Sequence, residues 1–232
     1  LLFDLNKMTN ELQSAQRKLK NSQSTTGGWP WFNGGRDNRF ITQHIVAGFG
    51  HLKQLNVIPT KRSDEESQMI RNAIQYLDSE FIQEYKNIKK YNKDADLSKD
   101  HLSHTQLHYL YTRSFYPEIK TSSEVQNIMD YYHGQIQKYW LKRSLYAKGL
   151  MALTMNRIND TKTAGKIVKS LKENSITSEE LGTYWKTNTN SWHWYQARIE
   201  TQALMVEVFS EVGTVILSEA KNLEVVDNLK IW

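Results

Sequence analysis

Two carboxylates set among aromatic side chains are the residues of this chain best placed to do chemistry. Asp37 lies in "GGWPWFNGGRDNRF" (27–40), a glycine-rich stretch that also carries Trp29, Trp31 and Phe32. Glu200 closes "SWHWYQARIE" (191–200), which carries Trp192, Trp194 and Tyr195. A carboxylate pair serving as acid and base beside stacking aromatics is what cleavage of a glycosidic bond uses. These residues are therefore the candidate binding positions. Each carboxylate also has a structural role open to it. Glu200 can satisfy backbone amides at a helix start, and Asp37 can pair with Arg36 or Arg39 or cap the helix that begins near 41. Neither stands in a motif with catalytic spacing, which favours the structural roles, so no catalytic residue is assigned.

Other chemistries find less support. His104 and His108 share a helix face, with His101 and Asp100 just before them, but no Glu follows His104 as a zinc-protease motif would demand. No metal and no cofactor is expected. There is no Gly-x-Ser-x-Gly elbow, and "GFGHLKQ" lacks the Gly-Lys-Ser/Thr ending of a phosphate loop. The chain has no cysteine, which excludes disulfides, thiolate metal sites and cysteine nucleophiles among its residues.

The elements that must position these residues are helical. Over 232 residues, 39% are hydrophobic and 11% aromatic, enough to build a core, and the three prolines fall between periodic stretches. Apolar residues recur at helical spacing over 1–20, 41–55, 64–88, 104–115, 123–140, 144–158, 161–173 and 198–210, with another helix beginning in "LEVVDNLKIW". Ser63, Ser122 or Ser123, and Asp160 are the expected caps. "KKYNKDADLSKD" reads as a loop, and "GTYWKTNTNSWHWY" as irregular with short extended pieces. The net charge of +5 comes from lysines spread over helix faces rather than gathered in one tract, so nucleic acid is not an expected partner. No run approaches the roughly 20 apolar residues of a spanning helix. The first residues, "LLFDLNKMTNELQSAQRKLK", do not read as a signal peptide, and a chain that starts with Leu reads as a piece of something longer.

One internal echo gives an architecture. "GWPWF" leads into a helix opening with Thr42-Gln43, and "SWHWY" into one opening with Thr201-Gln202, while Thr105-Gln106 supplies a third pair. Repeated helix pairs in which apolar helices (41–55, 104–115, 144–158, 198–210) alternate with amphipathic ones (1–20, 64–88, 123–140, 161–173) predict an inner and an outer ring. The expectation is an all-α fold, an α/α-toroid built as a helix-pair double ring over 1–232 and incomplete at one or both ends. Trp29 or Trp31 should then be buried at a helix corner, with Arg36 and Asp37 ordering the turn.

In this frame "GGWPWFNGGRDNRFITQHIVAGFGHLKQL" resembles the segment after the thioester helix in alpha-2-macroglobulin and complement-type proteins, especially bacterial alpha-2-macroglobulins of Bacteroides-like organisms. "YAKGLMALTMNRINDTKTAGKIVKSLKEN" looks like that family's mid-domain helix pair, and "ARIETQALMVEVFSEV" with "VVDNLKIW" like its closing section. The resemblance implies a single thioester-like domain within a larger extracytoplasmic protease inhibitor, periplasmic or at the cell surface. Its partners would be the other domains of that macroglobulin and the target proteases. It also implies that the fold continues past "DNLKIW" into another glycine-aromatic loop. The family's thioester joins a Cys thiol to a Gln side chain, and without cysteine that bond cannot form within these residues. The motif would lie before Leu1, or the parent belongs to the subgroup without one, which is the favoured explanation. The alternative function is that of an α/α-toroid enzyme acting on carbohydrate in an aromatic-lined cleft.

Overall fold

Several helix starts in this chain are set by a side chain one residue ahead of the helix; the helices that start at His104 and Arg198 begin without a side-chain cap. Asn38, extended at φ −117° and ψ 116°, accepts from the Ile41 amide at 3.1 Å and opens α2 (Arg39–Gln54). Ser144 does the same for α6 (Leu145–Arg157) through the Ala147 amide, and Asp160 for α7 (Thr161–Glu173) through the Thr163 amide and hydroxyl at 3.0 and 2.7 Å. Ser122 accepts from the Val125 amide at the start of α5 (Ser123–Tyr139). The computed structural model describes residues 5–55, 64–189, 197–215 and 219–231, so the expected Ser63 cap lies outside the described residues.

The protein is all-α. Among the described residues, the remaining helices are α1 (Leu5–Ser22), α3 (Asp64–Tyr91), α4 (His104–Arg113), α8 (Arg198–Val212) and α9 (Glu219–Ile231). One antiparallel hairpin joins β1 (Ile176–Ser178) to β2 (Gly182–Tyr184), with Ile176 opposite Tyr184; β2 opens the segment expected to be irregular with extended pieces, whereas β1 lies before it. α3 runs three residues into the stretch expected as loop, ending at Tyr91, and α4 stops at Arg113, short of Pro117. No described helix is long and apolar enough to cross a membrane.

The helices pack as two compact units, Leu1–Ala95 with Phe115–Ile128, and Asp96–Ser114 with Met129–Trp232. In the first, the stripe Ile70, Ala73, Ile74, Leu77 and Phe81 of α3 is buried; α3 packs against α1 and α2. Gly50 of α2 lies where a Cβ would stand 2.5 Å from the Phe115 ring, and the Tyr116 hydroxyl donates to the Val46 carbonyl at 2.7 Å. A glycine there lets the chain returning at 115 press directly on α2.

In the second unit α4 packs on α6 and α6 on α8, while α7 covers α6 and α8. Every residue of α6 from Gly149 to Met155 is buried, and every residue of α4 from Gln106 to Arg113. A helix buried all round has neighbours on all sides, which is why its sequence shows little polar face. Gly149 sets the α6–α8 approach, since a Cβ would meet Met205 at 2.6 Å. The hairpin is pinned on α9 by Gly182, at φ +63°, where a side chain of any kind would collide with the Asn228 carbonyl. Only glycine fits there.

Candidate functional site

The first aromatic loop is a built corner of the first unit. Gly27, at φ +96°, turns the chain against the Asn72 backbone, and an isolated antiparallel bridge pairs Pro30 with Asp37. The Asn38 amide donates to the Trp29 carbonyl at 2.8 Å, closing the loop. Trp29 is 2% exposed; its indole N–H donates to the Leu19 carbonyl of α1 at 2.8 Å, and its backbone N–H to the Thr42 hydroxyl at 2.9 Å. A buried indole needs an acceptor for its one donor, and the end of α1 supplies it. Trp31 and Phe32 are instead 60% and 68% exposed.

Asp37 accepts from the Ser24 hydroxyl at 2.5 Å and from the Thr26 hydroxyl. The helix is capped by Asn38, not Asp37, because the carboxamide one residue nearer the helix reaches the amide three residues on. Arg36 is exposed, whereas Arg39, 8% exposed, forms an ion pair with Glu84 of α3 and donates through Nε to Gln43 at 2.8 Å.

The Thr-Gln echo has a structural meaning. Thr42 returns its hydroxyl to the carbonyl of Asn38, and Thr201 returns its own to Ala197, in each case the residue that precedes the helix. Gln202 then donates to the carbonyls of Thr183 and Leu229, tying β2 and α9 to α8. α2 and α8 thus open alike. Thr105 sits at the second position of α4 rather than the fourth, so the third pair is out of register with the other two.

Of the candidate positions, Trp29, Trp31, Phe32 and Asp37 gather in the first unit. Glu200 is an exposed residue in the first turn of α8 in the second unit, where its charge suits the amide end of the helix. Trp192, Trp194 and Tyr195 lie outside the described residues. In α4, His104 and His108 stack at 6.0 Å between ring centroids, and His104 packs on Tyr146 of α6 at 5.8 Å. Among the described residues no group of three or more His, Asp or Glu is arranged to hold a metal ion.

A dense polar cluster in the second unit has no counterpart among the sequence motifs. Arg157, at the end of α6, bonds Glu211 of α8 through both Nε (2.9 Å) and Nη2 (2.7 Å), and Glu207 through Nη2 (2.7 Å). The Tyr111 hydroxyl of α4 donates to Glu207 at 2.9 Å, the Arg157 guanidinium lies 5.2 Å from the Tyr111 ring centre, and Arg157 also reaches the Ser114 hydroxyl at 3.3 Å. Burial works against the charge on Arg157, but the hydrogen bond and charge of Glu211, aided by Tyr111 and Glu207, outweigh it and raise its pKa. Burial, then the Glu207 charge, push the Tyr111 hydroxyl well above the ordinary tyrosine range. Burial and the same carboxylate push Tyr146 up to about 12. One guanidinium holding two carboxylates from the facing helix is a clamp on α4, α6 and α8. Glu207 and Glu211, four residues apart, look in sequence like any solvated helix face, and only the packing of α6 on α8 reveals that they converge on one arginine. Compared with known proteins, the chain matches no family model and no curated protein.

Proposed function

We propose that this chain is a thioester-like domain of a bacterial alpha-2-macroglobulin, a non-catalytic structural and interaction module of a protease inhibitor. The observation that carries this reading is the succession of buried helices α4, α6 and α8, each packed on the next, with amphipathic α7 laid over α6 and α8. Inner and outer helices of an α/α-toroid would alternate in this way. The burial of Trp29 adds support, because the glycine-aromatic residues that carry the resemblance serve as a helix corner. With no cysteine in the chain, its part in trapping a protease is mechanical: its helices offer surface to the neighbouring domains and to the captured enzyme. The exposed Trp31 and Phe32 are apolar surface suited to such contact. The reading places the chain in an extracytoplasmic protein.

The test is to incubate the longer polypeptide that contains this chain with a serine protease and follow two substrates. Trapping predicts that hydrolysis of a folded protein substrate is lost while hydrolysis of a small peptide persists. Undiminished cleavage of the protein substrate overturns the proposal. So does hydrolysis of a glycan or peptide by the 232-residue chain itself that is abolished by Asp37→Asn or Glu200→Gln.

A further inference from the structure

The second unit contains a pocket of about 390 Å³ at the amide end of α6, bounded by the end of α7, β1, the segment after β2 and the start of α8. That volume lies in the range of about 300–1,000 Å³ typical of small-ligand sites. Its charge has one sign. Arg143, Lys148 and Lys186 line it, and among the described residues no carboxylate does. Arg143 shares its charge with Asp100 through Nη2, but its Nε donor is buried without an acceptor. Lys148 and Lys186 have no carboxylate partner among the described residues.

The neutral wall is chosen for hydrogen bonding. Ser170 and Asn174 come from the last turns of α7, and Thr187 and Thr189 from the rim after β2. Trp185, 3% exposed with its indole N–H fixed on the Leu171 carbonyl at 2.8 Å, contributes apolar lining, as does Tyr146. Ser144, the cap of α6, is also in the wall, so the positive end of that helix dipole adds to the lysine charges, while the carbonyl end of α7 at Ser170 and Asn174 opposes it and leaves the basic side chains as the main attraction for an anion. A concave site with low-dielectric walls and charge of a single sign concentrates ions of the opposite sign.

We propose that this pocket binds a small anionic ligand in which an acid group is carried on a hydroxylated ring, the acid meeting Lys148 and Lys186 and the hydroxyls meeting Ser170, Asn174 and Thr187. This chemistry is independent of the inhibitor reading and requires no reaction. An acidic sugar supplies it through a carboxylate, and a sugar phosphate through a phosphate.

Isothermal titration of the 232-residue chain at low salt tests it, with glucuronate and glucose 6-phosphate as probes and with glucose and inorganic phosphate as controls. Binding of glucuronate identifies the carboxylate source and binding of glucose 6-phosphate the phosphate source. Either supports the proposal if the double variant Lys148→Gln/Lys186→Gln weakens it about tenfold or more at an unchanged melting temperature. Glucose binding as tightly as the charged probes, or inorganic phosphate as tightly as glucose 6-phosphate, overturns it. Absence of binding by both charged probes at millimolar concentration, or binding unaffected by the double variant, overturns it equally.

Discussion

Arg39 is buried and the side chain of Arg157 nearly so, yet the two are compensated differently. Arg39 pairs with Glu84, whose side chain is 35% exposed, and with a neutral acceptor, Gln43. Arg157 pairs with both Glu207 and Glu211, at 19% and 18%, and shares Glu207 with a tyrosine hydroxyl. Taking a charge out of water is costly, and the cost of losing its partner rises with how thoroughly that partner is also removed from water. Arg39 holds a helix pair whose carboxylate can rehydrate, whereas Arg157 holds three helices around carboxylates that cannot readily do so.

The largest effect that can break this comparison is Arg157→Met. It strands two partly buried carboxylates and should cost about 3–5 kcal/mol in urea denaturation. Adding Glu207→Gln and Glu211→Gln to that variant should restore most of the loss, because no charge is then left unpaired; a triple variant as unstable as the single one would assign the cost to packing. Arg39→Met should cost less, about 1–3 kcal/mol, since Glu84 turns to solvent and the main loss is the bond to Gln43. Equal losses at the two arginines would remove the distinction. Tyr111→Phe takes one donor from Glu207 and leaves the guanidinium in place, for an expected loss of about 1–2 kcal/mol.

Alkaline pH separates the two units more gently. Burial, then Glu80 and Asp37, push Tyr76 of the first unit up to about 12, with Arg39 opposing; Tyr146 of the second is also pushed up to about 12 and Tyr111 beyond it. In the unfolded chain these hydroxyls ionise near pH 10. From there to about 12 the unfolded state has released protons that the folded state retains, so stability falls as pH rises. The melting temperature against pH should decline over this window. Tyr146→Phe should make the decline shallower by about one proton, with tyrosinate absorbance as the independent readout. The smallest effect expected is at Trp31→Ala, within about 0.5 kcal/mol because the residue is 60% exposed.

Much of this molecule is legible in its sequence. The helices expected over 41–55, 64–88, 123–140, 144–158, 161–173 and 198–210 agree with α2, α3, α5, α6, α7 and α8 to within a few residues, because a 3.6-residue period and a capping side chain are local signals. The Asp160 cap is legible for the same reason. At the start of α2 the cap is Asn38, while Asp37, for which capping is one of three roles open, accepts from hydroxyls instead, because two adjacent polar residues can each cap and only the backbone angle at the junction chooses between them. The polar residues 89–91 continue α3 because a helix already propagating adds residues at little cost. Of the candidate site, the burial of one loop tryptophan is expected, but nothing in "WPW" says that Trp29 goes inward and Trp31 outward. The lysines of the basic pocket look in sequence like scattered surface charge, since their positions along the chain do not show that they share one cavity.

Local sequence is enough for the all-α class, the order of the helices, the caps at Ser122 and Asp160, and the exclusion of any thiol chemistry among these residues. These follow from local periodicity, hydrogen bonding within a few residues, and composition. What the tertiary structure alone decided is convergence. Arg157 meets Glu207 and Glu211, Thr42 reaches the Trp29 amide, and Arg143, Lys148 and Lys186 face one cavity, each through contacts fixed by helix packing and loop closure rather than by neighbouring residues in the chain.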